Sequence, residues 1–162
     1  MGKIIKNSYD LSNLINNNIE RENIKIVMVN GCFDLFHIGH LNLLKFAKNQ
    51  GNILIVALNS DYSISKLKGL LRPIISQEDR SEIIASLTCV DYIVLFDEEN
   101  PSKLIDIIKP DIIVKEEEYK NKKISEIKTI KKHVIDLIFY QKENNISTTV
   151  IIEKILASRN HI

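Results

Sequence analysis

The sequence predicts an α/β protein, a doubly wound, Rossmann-like sandwich in which five parallel strands carry helices on both faces. Three observations lead there. Apolar runs rich in Ile and Val recur, and each is followed by a segment of helical spacing, the alternation expected where covering helices join parallel strands. No repeat and no Gly-, Pro- or Ser-rich linker divides the chain. Its 162 residues, 44% hydrophobic, are enough for one ordinary core and too few for two comfortable domains, so residues 1–162 read as one domain.

In chain order, Leu11–Glu22 reads as a helix, which makes residues 1–23 an N-terminal helical extension. The strands fall at Lys25–Asn30, Asn52–Leu58, Tyr92–Phe96, Asp111–Lys115 and Val134–Phe139. Between them the spacing predicts helices at His40–Asn49, Asp61–Lys68, Gln77–Leu87, Pro101–Lys109 and Ile124–Lys132, with a last helix over Ser147–Ala157. Start signals support two of these. Ser76 stands three residues before Asp79 in a variant capping box, and Pro101 sits where its missing N–H does least harm. Right-handed crossovers follow from parallel pairing.

Charge and cysteine usage narrow the function. Lys+Arg number 22 against Asp+Glu 21, a formal net charge of +1, so no global basic face argues for nucleic acid and any phosphate chemistry is local. Cys32 and Cys89 form no CxxC spacing, which speaks against a disulfide framework or a ribbon-type zinc site. No apolar segment approaches the roughly 18 residues of a membrane span, and the start MGKIIKNSYD has no signal-peptide core. The expectation is a cytoplasmic protein without membrane contact. The NNN run at Asn16–Asn18 is too short for low complexity.

The chemistry concentrates in Asn30–His40, NGCFDLFHIGH, which bridges the first long strand and the following helix. In such sheets ligands gather beyond the carboxyl ends of the strands. Gly31 lets backbone approach a bound group, and the helix entrance near His40 offers free N–H groups and a positive dipole end. His37 and His40, three residues apart, bring both imidazoles to one side, where they suit phosphate oxygens as charge builds. A metal site using Cys32, His37 and His40 is the alternative, without an evident fourth ligand or supporting pattern nearby. Ser147-Thr148-Thr149 opens the last helix, where hydroxyls and unpaired N–H groups suit either capping or phosphate.

HIGH after a strand, within GCFDLFHIGH, resembles the HxGH signature of the cytidylyltransferase-like nucleotidyltransferase superfamily. The likeness continues through LNSDYSISKLKGLLRPI, QEDR, VDYIVLFDEENPSKLI, KPDIIVK and ISTT, covering nearly everything from Lys25 to Ile155. Within that superfamily the NSD, LKG, RPI and PDIIVK segments are similar to the heptose 1-phosphate adenylyltransferase domain of ADP-heptose synthesis, and glycerol-3-phosphate cytidylyltransferase is a second relative.

The resemblance implies a nucleotidyltransferase acting on a nucleoside triphosphate, with ATP preferred and Mg²⁺ carried on it, and on a phosphorylated small-molecule acceptor; it also implies a homodimer. It implies that His37 and His40 steady the triphosphate, that Lys68, or else Lys66, reaches it, and that Arg80 clamps a phosphate. Asn30, Gly31, Cys32 and Phe33 in the first turn and Ser147, Thr148 and Thr149 in the ISTT turn are then nucleotide-binding. Asp34 orders the loop and its histidines, while Asn59 and Asp61 shape the acceptor or phosphate pocket, with Lys115 and Tyr119 also placed on the acceptor side. Lys115-Glu116-Glu117-Glu118-Tyr119 departs from the heptose-type pattern, which has two glycines after the lysine. Lys142 falls where the glycerol-phosphate enzyme has an arginine, and Glu143 where the heptose enzyme has a glutamate. A nucleotide sensor without turnover is the reading from another class.

Overall fold

The computed structural model describes residues 1–18, 21–142 and 146–159. Its strands are β1 (Lys3–Ile5), β2 (Ile26–Gly31), β3 (Ile53–Asn59), β4 (Tyr92–Phe96), β5 (Ile112–Glu116) and β6 (Asp136–Tyr140). All pair in parallel in the order β1-β4-β3-β2-β5-β6. Among the described residues the sheet therefore has six strands, correcting the expected five. The additional strand, β1, is too short to show an alternating pattern; its register with β4, Lys3 opposite Tyr92, makes it a strand. Residues 1–18 thus supply an edge strand as well as a helix, α1 (Ser8–Asn18), and residues 19–20 of the expected helix lie outside the described residues.

The other helices are α2 (Ile38–Lys48), α3 (Asp61–Lys68), α4 (Gln77–Ala85), α5 (Ser102–Ile108), α6 (Ile127–Lys132) and α7 (Thr148–Arg159). Because successive strand residues point to opposite faces, one apolar run feeds two cores. Val27, Val29, Leu54, Val56 and Val114 pack with Leu43, Leu44 and Ala47 of α2 and Ile84 of α4. Ile26, Met28, Ile55, Ala57 and Ile113 pack with Leu11 and Ile15 of α1, Leu104 and Ile105 of α5 and Ile130 of α6. This double covering explains why the strands read as continuous Ile and Val rather than as alternation.

The strand order reverses direction between β2 and β5, whose registers pair Val27 with Ile112 and Val29 with Val114. At such a switch point the two crossovers leave to opposite faces and open a crevice beyond the strand ends. Ser76 caps α4 as expected, accepting from the Asp79 N–H at 3.2 Å while its hydroxyl donates to the Asp79 carboxylate at 2.9 Å.

Candidate active site

A cleft of about 630 Å³ opens at the carboxyl end of the sheet, over the β2/β5 switch point. Its floor is the turn after β2. Phe33 and Leu35 adopt left-handed backbone there (φ 48° and 46°), a conformation rarely taken by bulky residues and held only where the surroundings over-determine it. The surroundings are visible. Asp34, 2% exposed, accepts N–H groups from Leu35, Ile74 and Ile75 at 3.0–3.1 Å and Arg72 Nε at 2.7 Å. Arg72 Nη2 stands 2.6 Å from the same carboxylate as a charge contact without hydrogen-bond alignment. Burial by itself raises the Asp34 pKa, but these donors outweigh it and hold the carboxyl below its ordinary value.

His37 is the N-cap of α2, its extended backbone (φ −139°, ψ 172°) turning the chain into the helix. Its Nδ1 accepts the His40 N–H at 3.4 Å, which places the ring proton on Nε2 and makes that nitrogen a donor. The two rings stack with centroids 3.7 Å apart and planes 16° from parallel, and Phe33 meets His40 edge-on at 5.1 Å. Gly39 permits this packing, since a Cβ there would lie 3.1 Å from the His37 ring and 3.2 Å from Ile146. Burial, then the neighbouring His37, Lys142 and Lys68, push the His40 pKa down to about 3; burial, then Lys142, lower that of His37. His40 Nδ1 is buried without a hydrogen-bond partner.

The start of α7 joins the same floor. Thr148 Oγ1 donates to the Asp34 carbonyl at 2.6 Å, and Ser147 Oγ accepts the Val150 N–H at 3.2 Å, so one helix mouth is tied to the histidine turn. Ser147, Thr148 and Thr149 line the cleft beside His37 and His40. Asn30, Gly31, Cys32, Phe33 and Asp34 form its base, and Asn59 and Lys68 one wall. Lys115 and Tyr119 stand on the opposite wall. Lys115 Nζ donates to Asn30 Oδ1 at 3.0 Å across the switch point and lies 2.5 Å from the buried Glu126. Against the push of burial, Lys115 holds Glu126 below the usual carboxylate range. Burial raises the pKa of Tyr119 and of the Cys32 thiol.

Three expected site residues lie elsewhere. Arg80 is 1% exposed, with Nε on the Ile75 carbonyl at 3.0 Å, Nη1 on the Cys32 carbonyl at 2.5 Å and Nη2 on Asp61 at 2.7 Å. Each nitrogen of its planar fork is bonded to the protein, so it braces the first turn from behind instead of presenting a phosphate clamp. Asp61 is that arginine's partner and, like Arg80, does not line the cleft. Lys66 lies over the Tyr62 ring at 4.2 Å, also away from the cleft. Among the described residues no three His, Cys, Asp or Glu side chains group as metal ligands, and Cys32 Sγ faces Asn59 Oδ1 at 4.0 Å rather than an imidazole.

Sequence reasoning did not single out Arg72 or Glu126. Arg72 sat inside the RPI match without an assigned role, and Glu126 carried no local signal. The KEEEY departure resolves into particular contacts. Glu116 ends β5 and ion-pairs with Lys142, while Glu118 lies 3.6 Å from Lys122 in the 3-10 turn Glu117–Tyr119. Glu143 lies outside the described residues.

A parallel sheet with its cleft at the switch point carries two histidines on a helix entrance and a second helix mouth beside them, an arrangement suited to an anionic ligand. The cytidylyltransferase-like family model matches residues 28–154, and the chain belongs to that family. It is 48% identical over 143 residues to the bifunctional protein HldE of Helicobacter pylori strain HPAG1, covering 88% of this chain and 30% of that protein. To HldE of Syntrophotalea carbinolica it is 44% identical over 144 residues, 85% of this chain and 28% of that one. The chain therefore spans less than a third of the length of these relatives. Among solved structures, the lipopolysaccharide core biosynthesis protein of Thermoplasma volcanium superposes with a TM-score of 0.61 at 30% identity, covering 76% of this chain and 99% of that one. Pantoate-beta-alanine ligase of Francisella tularensis, at 18% identity and a TM-score of 0.63 over 100% of this chain and 79% of that one, shares the fold. No helix among the described residues is long and apolar enough to cross a membrane.

Proposed function

We propose that the chain transfers the adenylyl group of ATP to a sugar 1-phosphate such as heptose 1-phosphate and releases pyrophosphate. The observation that carries this reading is the convergence of His37, His40 and the mouth of α7 on the cleft floor. An oxygen of the acceptor phosphate attacks the α-phosphorus, and the bond from that phosphorus to the bridging oxygen of the leaving pyrophosphate breaks. The attacking oxygen is anionic near neutral pH, so positioning and charge stabilisation supply most of the acceleration without a covalent intermediate. His37 Nε2–H and the free N–H groups of α7 are donors for the phosphate oxygens, and Lys68 adds a cation that is in no ion pair among the described residues. Since charge on those oxygens grows in the transition state, these contacts act on turnover more than on binding.

The cleft's own charge supports a metal-bound triphosphate. Three lysines line it against five carboxylates, and two of the lysines, Lys115 and Lys142, are already paired. A polyanion entering there needs a counter-charge, which Mg²⁺ held by the phosphate oxygens supplies when bound. A cytoplasmic homodimer, without nucleic-acid or membrane partners, completes the proposal.

The test is pyrophosphate release from ATP, CTP, GTP and UTP, with Mg²⁺, against heptose 1-phosphate and glycerol 3-phosphate. Release with ATP and the sugar phosphate is expected. Release confined to CTP and glycerol 3-phosphate establishes instead the polyol-phosphate reading, to which Lys142 on the cleft wall corresponds. Binding without release from any pair establishes a sensor.

A further inference from the structure

Glu116 and Lys142 face each other across the end of the β5/β6 strand pair. Both line the cleft, and both side chains are largely shielded, at 16% and 28% exposure. Lys142 also stands close enough to both imidazoles to disfavour their protonated forms, so it shares their corner of the cleft. In the free protein its charge is satisfied by Glu116. A triphosphate held at His37, His40 and Thr148 would meet Lys142 next, and its oxygens would compete with the Glu116 carboxylate for the same ammonium group.

Resting on the triphosphate site proposed above, we propose that Glu116 and Lys142 form an exchange latch: Lys142 is a phosphate-binding residue held in reserve by Glu116 and transferred to the triphosphate as it enters. The neighbouring pair has no such freedom. Lys115 and Glu126 are 9% and 4% exposed, and Lys115 is additionally tied to Asn30, so releasing either would strand a buried charge. The more accessible pair is the one that exchanges, because water screens the partner left behind. The first glutamate of the KEEEY departure then sets how tightly the polyanion is bound.

A double-mutant cycle on the full chain tests this, with inorganic tripolyphosphate and Mg²⁺ as the probe and calorimetry as the readout. E116Q is expected to tighten binding about fivefold, the scale of a partly exposed ion pair. K142M is expected to weaken it about fivefold, and E116Q is expected to have little effect in the K142M background. Equal tightening by E116Q in both backgrounds would mean that Glu116 only repels the anion through space, which overturns the latch. Lowered melting temperatures with unchanged affinities would mean a purely structural pair and overturn it as well. E116A serves in place of E116Q should the latter not fold. Binding of tripolyphosphate does not depend on an acceptor, so a wild-type protein that completes this cycle but releases no pyrophosphate refutes the reaction and leaves the latch standing.

Discussion

His37 and His40 lie face to face, their ring centroids 3.7 Å apart and their planes 16° from parallel. Burial disfavours charge on both rings, and a charged His37 beside it adds to the cost at His40, so the His40 pKa is pushed from 6.5 down to about 3, that of His37 is lowered too, and both rings are neutral in the free protein near neutral pH. Linkage gives the sign. Below 6.5 the unfolded chain takes up a proton that folded His40 refuses until about 3, so the stability it contributes is complete above 6.5 and is lost as the pH falls through that window. Asp34 and Glu126, lowered from 3.8 and 4.5, lose their contributions only in stronger acid. Melting temperatures measured from about pH 7 to about pH 5 should therefore fall for the wild type and fall less for His40→Asn. A wild-type profile flat across that interval would contradict the neutral pair.

In the proposed reaction the same rings become donors to phosphate when nucleotide enters. His37→Asn and His40→Asn should each lower kcat by ~10²–10³, the scale of losing one preorganised transition-state contact, while the thermal shift produced by ATP with Mg²⁺ largely persists. Lys68→Met should weaken nucleotide binding several-fold, and Lys66→Met should change neither parameter by more than about twofold, since only Lys68 lines the cleft. Intact turnover in either histidine variant would remove the rings from the mechanism.

Arg80 is the residue whose role the fold reassigns. Replacing it by methionine leaves the Cys32 and Ile75 carbonyls without their donor and Asp61 without its partner, at an expected cost of ~3 kcal/mol in denaturant unfolding. The salt dependence of nucleotide binding should stay unchanged. A shallower salt dependence in the variant would show that the guanidinium meets phosphate after all.

The N-terminal segment belongs to the core. Leu11 and Ile15 are 0% exposed and pack in the cluster that includes Ile26, Met28 and Leu104. Leu11→Ala should cost ~2–4 kcal/mol, read from the urea midpoint at unchanged slope. A loss below about 0.5 kcal/mol would make α1 a dispensable appendage.

What local sequence determines is visible in its periods and its short motifs. The Ile and Val runs and the helical spacings located five strands and every α-helix to within a few residues, because burial on both sheet faces writes itself directly into composition. Likewise GCFDLFHIGH and ISTT announced a loop and a helix mouth, since caps and turns are built from neighbours in the chain. Tertiary structure decided the partners. Arg80 reaches Cys32 and Asp61, Arg72 reaches Asp34, Lys115 reaches Glu126 and Glu116 reaches Lys142 because the strand order sets those elements side by side. A buried ion pair leaves no periodic trace along the chain, and β1, only Lys3–Ile5, becomes a strand through its pairing with β4. Whether a lysine or arginine faces phosphate or carboxylate is a question of distance in space, and the sheet answers it.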